Sequence, residues 1–183
     1  PAADRQTHAI RAEVDAVAIG SGTLLADDPL LTARGVYRSR PLARVIFDRR
    51  LRTPVSARVL TTLGAGPVII VAAPGAPDGA ARALESAGAS VVRVSGGLTD
   101  ALRRLVPMRI QSVLVEGGPT LQAALWREGA ADAVRLIVAP RALGPAGVPW
   151  VERGVAPFAS WRLVSVRPCG ADVIIEADVH WTD

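Results

Sequence analysis

Short runs rich in Val, Ile, Leu and Ala recur along this 183-residue chain and alternate with helical patterns, and this constrains its fold most. Strands that are apolar on both faces are typical of parallel sheets covered by helices. We therefore predict an α/β fold with three layers (αβα) around a mostly parallel central sheet. The predicted strands are residues 15–20, 43–48, 67–73, 90–94, 112–117 and 133–140.

Helices are predicted at residues 3–14, from Pro77–Asp78 to Gly88, over 96–106, and from Pro119 to Gly129. The tail predicts two longer strands joined near Pro168–Gly170, an antiparallel hairpin on the edge of the sheet. No linker or repeat interrupts the chain, so residues 1–183 are expected to form one domain.

The composition excludes several kinds of site and partner. Cys169 is the only cysteine, which excludes an internal disulfide and a cysteine-based zinc site and favours a cytoplasmic location. No apolar run approaches the roughly 20 residues of a membrane span. All 21 basic residues are Arg, dispersed among acidic residues, and aromatics are only 4%, so no nucleic-acid surface is expected. His8 and His180 lack a second ligand at metal-binding spacing, so no metal site is predicted, and the four tryptophans are interpreted as packing residues.

Two strand ends carry turns that suit a ligand. Gly20, Ser21 and Gly22 let the backbone approach a ligand and Thr23 offers a hydroxyl, although a tight turn with Thr23 capping a short helix fits equally well. Residues 115–121 (VEGGPTL) place the start of a helix after a strand, where unpaired amides and the helix dipole favour an anion. Glu116 is either a structural acceptor or a group that recognises a ligand N–H edge.

Two charged segments leave alternatives open. Asp27 and Asp28 precede Pro29; one aspartate can cap or form an Asx turn, and the other can face a cofactor or a reacting centre. Arg34 either pairs with Asp28 in solvent or binds a phosphate. Residues 47–54 (FDRRLRTP) are either a solvated loop or the place where Arg49 or Arg50 meets the 2′-phosphate that distinguishes NADP from NAD.

Three motifs together resemble a known family. RAEVDAVAIGSGTLLADDPLLTAR, RVIFDRRLRTPVSARVL and VLVEGGPTLQAAL, in this order and spacing, are similar to the reductase domain of the riboflavin-pathway deaminase/reductase. The resemblance covers roughly residues 3 to 145 and implies a dihydrofolate-reductase-like fold. It also implies NADPH-dependent reduction of 5-amino-6-(5-phosphoribosylamino)uracil, with hydride added at C1′ of the ribose, and a homodimer.

The resemblance also assigns residues. It implies that NADPH contacts Thr23, Asp27, Arg49 and the helix start at Gly118, Pro119, Thr120 and Leu121, and that the phosphorylated substrate contacts Arg11, Leu31, Arg34 and Glu116. Asp27 and Glu116 are the candidates for proton transfer. On this interpretation Asp27 faces the cofactor while Asp28 caps or braces the turn before Pro29.

The chain departs from the family at its start. Members begin with a strand carrying a Lys and an S-L-D-G motif, and that strand is expected to be missing here. The competing hypotheses are a pterin or folate reductase on the same fold and a non-catalytic nucleotide-binding module.

Overall fold

Five parallel strands form the larger sheet in the computed structural model, which describes residues 2–145, 147–155 and 157–179. The strand order is β4-β3-β2-β1-β5, and every neighbouring pair is parallel. The strands are β1 (Ala16–Gly20), β2 (Ala43–Phe47), β3 (Val68–Ala72), β4 (Ser90–Arg93) and β5 (Val113–Val115).

Five α-helices accompany the strands. They are α1 (Ala2–Glu13), α2 (Ser21–Asp27), α3 (Asp78–Ser86), α4 (Leu98–Arg103) and α5 (Pro119–Arg127). The α2 helix is the short helix that the sequence offered as the alternative to a ligand-binding turn after β1. In addition, 3₁₀ helices occupy Arg58–Ala65, Val106–Met108 and Pro157–Ser160.

Side chains on both faces of the parallel sheet are buried, because successive residues of a strand point to opposite faces. Val17, Ile46 and Ile70 pack in one core with Leu84 of α3. Their strand neighbours, such as Val45 and Ile69, pack in a second core with Ala101 of α4. Burying each large aliphatic side chain stabilises the fold by about 1.5–3 kcal/mol. The predicted three-layer arrangement around a parallel sheet is therefore confirmed.

The prediction for the last three strands is partly wrong. The hairpin forms from β7 (Trp161–Cys169) and β8 (Asp172–Val179), but it does not lie on the edge of the parallel sheet. The sixth strand, β6 (Ala133–Val138), does not join the parallel sheet either. It pairs antiparallel with β8, so that the three strands form a separate sheet in the order β6-β8-β7. The apolar run of β6 suits either sheet, and its pairing is decided by residues about 40 positions further along the chain.

An aromatic cluster connects this second sheet to the rest of the protein. Trp126 of α5 lies 6.2 Å from Trp161 of β7, measured between ring centroids. Phe158 lies 4.7 Å from Trp161, and Trp150 completes the cluster. The three described tryptophans thus pack as expected. Trp181 and His180 lie outside the described residues.

Arg44 is a charged residue that lies wholly inside the fold. Arg44 of β2 is 0% exposed and has no carboxylate partner among the described residues. Its guanidinium donates to the Thr62 hydroxyl, to the Thr62 carbonyl and to the carbonyl of Gly66. Burial lowers the pKa of Arg44, because the charged form loses its hydration.

Within the described ranges, none of the helices has both the length and the apolar character needed to span a lipid bilayer.

Candidate active site

A cavity of about 440 Å³ lies at the carboxyl ends of β1 to β4, beside the first turns of α4 and α5. Ligands of open parallel sheets bind at this edge, and cavities of about 300–1,000 Å³ are usual for small-molecule sites. Its wall is mostly apolar with a few polar and charged side chains. The lining residues are Gly20, Ser21, Gly22, Phe47, Arg49, Arg52, Val71, Ala72, Val94, Gly96, Gly97, Leu98, Ala101, Thr120, Leu121, Ala124 and Glu128.

The turns after β1 and β5 meet at this cavity. The Gly118 amide donates to the Thr23 hydroxyl at 3.2 Å, which joins the start of α5 to α2. Thr23 does not cap α2, because the N-cap position is Gly20 and no side chain caps that end. The alternative that gave Thr23 a capping role in its own helix is therefore wrong. Its hydroxyl instead fixes the distance between the two turns.

The start of α5 has the properties of an anion-binding helix end. Gly118 is the N-cap residue and Pro119 opens the helix without an amide hydrogen. No backbone or side-chain acceptor among the described residues is found for the Thr120 amide. A Cβ on Gly117 would lie 2.6 Å from Leu121 Cδ2, so only glycine fits this close approach. The positive end of the helix dipole thus lies next to the cavity.

Gly22 lines the cavity at a point where the protein leaves open space. A Cβ at this position would have no atom within 4 Å, and its φ is not positive. Glycine in a helix costs about 0.5–1 kcal/mol relative to alanine. Neither backbone geometry nor packing therefore requires glycine here, and the cavity wall is open at this position.

Two arginines also line the cavity. Arg49 Nη1 donates to the Gly96 carbonyl at 3.3 Å, and Arg52 Nη2 donates to the Ser21 hydroxyl at 2.7 Å. Arg50 is exposed and does not line the cavity. Of the two arginines predicted to meet a 2′-phosphate, Arg49 is thus the one at the cavity.

The loop that carries these arginines is held by a buried aspartate. Asp48 is 0% exposed, and one carboxylate oxygen accepts from the amide and the hydroxyl of Thr53. The other oxygen lies 4.0 Å from Arg52 Nε. Asp48 therefore fixes the direction in which the loop leaves β2.

Sequence reasoning missed Glu128, which lines the cavity from the end of α5. Its carboxylate accepts from the amides of Leu98 (2.9 Å) and Thr99 (2.8 Å) and so caps α4. The amides of Thr99 and Leu98 hold the pKa of Glu128 below its ordinary value of 4.5, because they stabilise the charged form. A Cβ on Gly97 would lie 2.7 Å from this carboxylate, which explains the glycine there. No local pattern signals a cap supplied by a different helix.

The predicted substrate residues Arg11 and Glu116 bind one another. Arg11 Nε and Nη2 donate to the two Glu116 oxygens at 2.7 and 2.5 Å, a bidentate pair that joins α1 to the end of β5. Arg11 Nη1 also donates to the Thr32 carbonyl at 2.8 Å. Of the two alternatives for Glu116, the structural acceptor is thus observed, with a guanidinium as its partner. The side chains of Arg11 and Glu116 are 13% and 24% exposed, respectively.

The segment after α2 brings the other predicted residues to the same side of α1. The Arg34 amide donates to His8 Nδ1 at 3.2 Å, while the Arg34 side chain is exposed and pairs neither with Asp28 nor with any other described residue. Leu31 has a φ of 54° and is 3% exposed, so it belongs to the core and not to the cavity wall.

The adjacent aspartates have different surroundings. Asp28 ends α2 in the left-handed conformation, and its carboxylate accepts from the Arg58 amide at 2.8 Å. It therefore braces the turn, as predicted. Asp27 is exposed and has no hydrogen bond or ion pair within the part of the chain that the structure describes. It does not line the cavity itself.

These features define an α/β protein with a candidate ligand site at the carboxyl edge of a parallel sheet, beside a helix N-terminus and two arginines. The chain belongs to the RibD C-terminal domain family, whose sequence model matches residues 1–175. It is 36% identical over 147 residues to the 2,5-diamino-6-ribosylamino-4(3H)-pyrimidinone 5′-phosphate reductase of Methanothermobacter thermautotrophicus, covering 76% of this chain and 66% of that protein.

Solved structures of RibD proteins share the fold. Acinetobacter baumannii RibD superposes with a TM-score of 0.83 at 26% identity, over 98% of this chain and 51% of that one. A Thermotoga maritima deaminase and 5-amino-6-(5-phosphoribosylamino)uracil reductase superposes with a TM-score of 0.76 at 25% identity, over 96% of this chain and 48% of that one. The chain thus spans about half the length of these RibD proteins.

Proposed function

We propose that the protein is the reductase of riboflavin biosynthesis, which uses NADPH to reduce 5-amino-6-(5-phosphoribosylamino)uracil to its ribitylamino product. The observation that carries the proposal is the joining of two ligand-binding turns at one cavity by the Thr23–Gly118 hydrogen bond. Family membership and the names of the relatives support the reaction class.

The cavity residues fit a pyridine dinucleotide. Gly22 leaves open space on one wall, and the start of α5 (Gly118, Pro119, Thr120 and Leu121) offers the Thr120 amide and the positive end of the helix dipole to a pyrophosphate. Apolar residues of β2 to β4 and α4 suit a flat base. Thr23 and Asp27 would hold the cofactor from α2, next to this cavity.

The arginines favour the phosphorylated form of the dinucleotide. Arg49 and Arg52 both line the cavity, and a guanidinium binds a phosphate through two parallel hydrogen bonds. Arg49 donates only one hydrogen bond within the described residues, so it keeps donors for the 2′-phosphate. This is why we propose NADPH rather than NADH.

The substrate would lie beside the cavity, against the Arg11–Glu116 pair. Both Glu116 oxygens accept from Arg11, and each has a second lone pair that can accept from a pyrimidine N–H. We therefore assign Glu116 to substrate recognition and not to proton delivery. The exposed Arg34 guanidinium suits the 5′-phosphate, and Leu31, three residues earlier, is buried in the core and anchors this segment.

The chemistry divides between cofactor and protein. When bound, the reduced nicotinamide supplies the hydride that C1′ of the ribose accepts. Opening the sugar then requires one proton at the former ring oxygen. Asp27 is the candidate carboxyl without a partner within the described residues, and we propose it for this transfer, while the two turns keep the reacting carbons aligned.

The proposal is tested by mixing the purified protein with NADPH and following the absorbance of NADPH with three substrates: the phosphoribosylaminouracil, its undeaminated pyrimidinone counterpart and dihydrofolate. Oxidation of NADPH with the uracil substrate, and not with dihydrofolate, is expected. Turnover of dihydrofolate instead would indicate the pterin or folate reductase. NADPH binding without turnover of any of the three would indicate the non-catalytic module.

We also propose a homodimer that forms through one face of the second sheet. Val138 pairs with Val173 and Ile175 pairs with Leu136 and Val166, so these five residues lie on one face. Val138, Val166 and Val173 are 47%, 57% and 39% exposed. Such a contiguous apolar surface is characteristic of an interface, and a second copy of the chain provides a matching apolar face by symmetry.

Light scattering over a range of protein concentrations tests the dimer. The wild type is expected at twice the chain mass, and Val166→Glu is expected to be monomeric with unchanged circular dichroism. A monomeric wild type at micromolar concentration would contradict the proposal.

The proposed reductase is also expected in the cytoplasm, where an unpaired cysteine such as Cys169 stays reduced.

A further inference from the structure

Near the proposed phosphate end of the substrate, the guanidinium of Arg11 already donates most of its hydrogen bonds to protein acceptors. A guanidinium has five N–H donors. Arg11 directs three of its groups at Glu116 and at the Thr32 carbonyl, and its side chain is only 13% exposed. Arg11 therefore orients Glu116 and the segment after Leu31, and it offers little to a phosphate.

The segment that carries Arg34 is tied to α1 at two points. Arg11 Nη1 holds the Thr32 carbonyl at 2.8 Å, and His8 Nδ1 accepts the Arg34 amide at 3.2 Å. His8 and Arg11 are three residues apart on α1, so they lie on the same face of the helix. This face of α1 thus fixes the backbone of the residue whose free guanidinium suits the phosphate.

The hydrogen bond to Arg34 also determines which ring nitrogen of His8 carries a proton. Nδ1 accepts an amide hydrogen, so it cannot carry one, and in the neutral ring the proton is on Nε2. Nε2 has no partner within the described part of the chain. His8 therefore presents an unused N–H donor beside the segment of Arg34.

We propose that His8 binds the 5′-phosphate of the substrate through Nε2–H, together with the guanidinium of Arg34. The bond from the Arg34 amide to Nδ1 holds the ring in the required tautomer and orientation. The inference rests on the proposed function, because it names the residue that recognises the phosphate of that substrate.

Three variants of His8 separate the two ring nitrogens. His8→Asn keeps an acceptor near the position of Nδ1 but has no distal donor, whereas His8→Gln supplies an amide donor near the position of Nε2. His8→Ala removes both. Arg5→Gln is the control, because Arg5 is an exposed cation three residues away on the same face of α1.

Binding of ribose 5-phosphate and of ribose, measured by calorimetry at pH 7.5, is independent of catalysis. Hydrogen bonds to charged groups support an expected loss of about tenfold or more in ribose 5-phosphate affinity for His8→Ala and His8→Asn. We expect His8→Gln to recover most of it, Arg5→Gln to match the wild type, and ribose to bind equally to all proteins. Combining His8→Ala with Arg34→Gln should cost less than the sum of the single losses, because both bind one group.

The opposite pattern would overturn the inference. A wild-type affinity for His8→Asn with a loss for His8→Gln would mean that only the backbone bond of Arg34 matters. Equal affinity of the wild type for ribose and ribose 5-phosphate would equally count against a phosphate site. The proposed reductase fails separately, through an absence of NADPH oxidation in the wild type. A reductase whose KM for the phosphorylated substrate is unaltered in His8→Ala would retain the function and lose only this inference.

Discussion

Gly22→Ala distinguishes what the fold requires from what a cofactor requires. The substituted methyl group would have no protein atom within 4 Å, and the backbone of Gly22 is already helical, so the folded protein accepts alanine without strain. Alanine in a helix is more stable than glycine by about 0.5–1 kcal/mol, and the first turn lies at the lower end of that range. We expect the melting temperature without cofactor to rise by about 1–2 °C.

The same methyl group would lie on the wall of the cavity, in the space that we assign to NADPH. Forcing an extra methyl group into a well-packed contact costs about 1–3 kcal/mol. The dissociation constant of NADPH, measured by fluorescence titration, is therefore expected to rise by about fivefold to a hundredfold. Stability and affinity should thus change in opposite directions.

Gly79→Ala is the matched control. Gly79 occupies the second position of α3, as Gly22 does in α2, and its Cβ would also have no atom within 4 Å. It is exposed and does not line the cavity. Both variants should gain similar stability, and only Gly22→Ala should bind NADPH more weakly. Equal NADPH affinity in the two variants would refute the assignment of this wall to the cofactor.

Three further predictions concern charged residues. Arg49→Gln should weaken NADPH binding tenfold or more and leave NADH binding unchanged, since a hydrogen bond to a charged group contributes about 1.5–3 kcal/mol; equal losses in parallel titrations would exclude 2′-phosphate recognition. The lowered pKa of Glu128 means that its cap stabilises the folded state above pH 4.5 and that this contribution is lost as the pH falls through the folded-state pKa. Urea unfolding should therefore separate wild type from Glu128→Gln at pH 7, with the difference closing below pH 4.5, and a constant difference would contradict this reasoning. Arg44→Met should destabilise the protein by about 2 kcal/mol or more, because the buried carbonyls of Thr62 and Gly66 lose their donor; a higher melting temperature would instead mean that removing the buried charge outweighs that loss.

The parallel sheet was predictable because its signal is local. Each of β1 to β5 is a short run of apolar residues bounded by turns, and the two-sided burial of residues such as Val45 and Ile46 follows from that composition. The partners of β6 were not predictable in this way. Its residues satisfy either kind of sheet, and only the position of β8 decides between them.

The candidate site shows the same division. Glycine turns and a helix start after a strand predicted the positions of Thr23, Thr120 and Leu121 near one cavity edge. The pairing of Arg11 with Glu116 joins residues 105 positions apart, and the capping of α4 by Glu128 joins different helices. Such contacts depend on the assembled tertiary structure. The side chains that form them show no periodicity in the sequence, so the contacts cannot be predicted from it.

Because the protein has two separate sheets, substitutions in the antiparallel sheet do not change the residues that line the cavity. All residues that line the cavity lie between Gly20 and Glu128, whereas the antiparallel sheet begins at Ala133. Substitutions in β6, β7 and β8 can therefore accumulate while the lining of the proposed dinucleotide pocket is kept. They can even change how copies of the chain associate. Homologues of this chain should diverge fastest after residue 132 without losing their coenzyme preference.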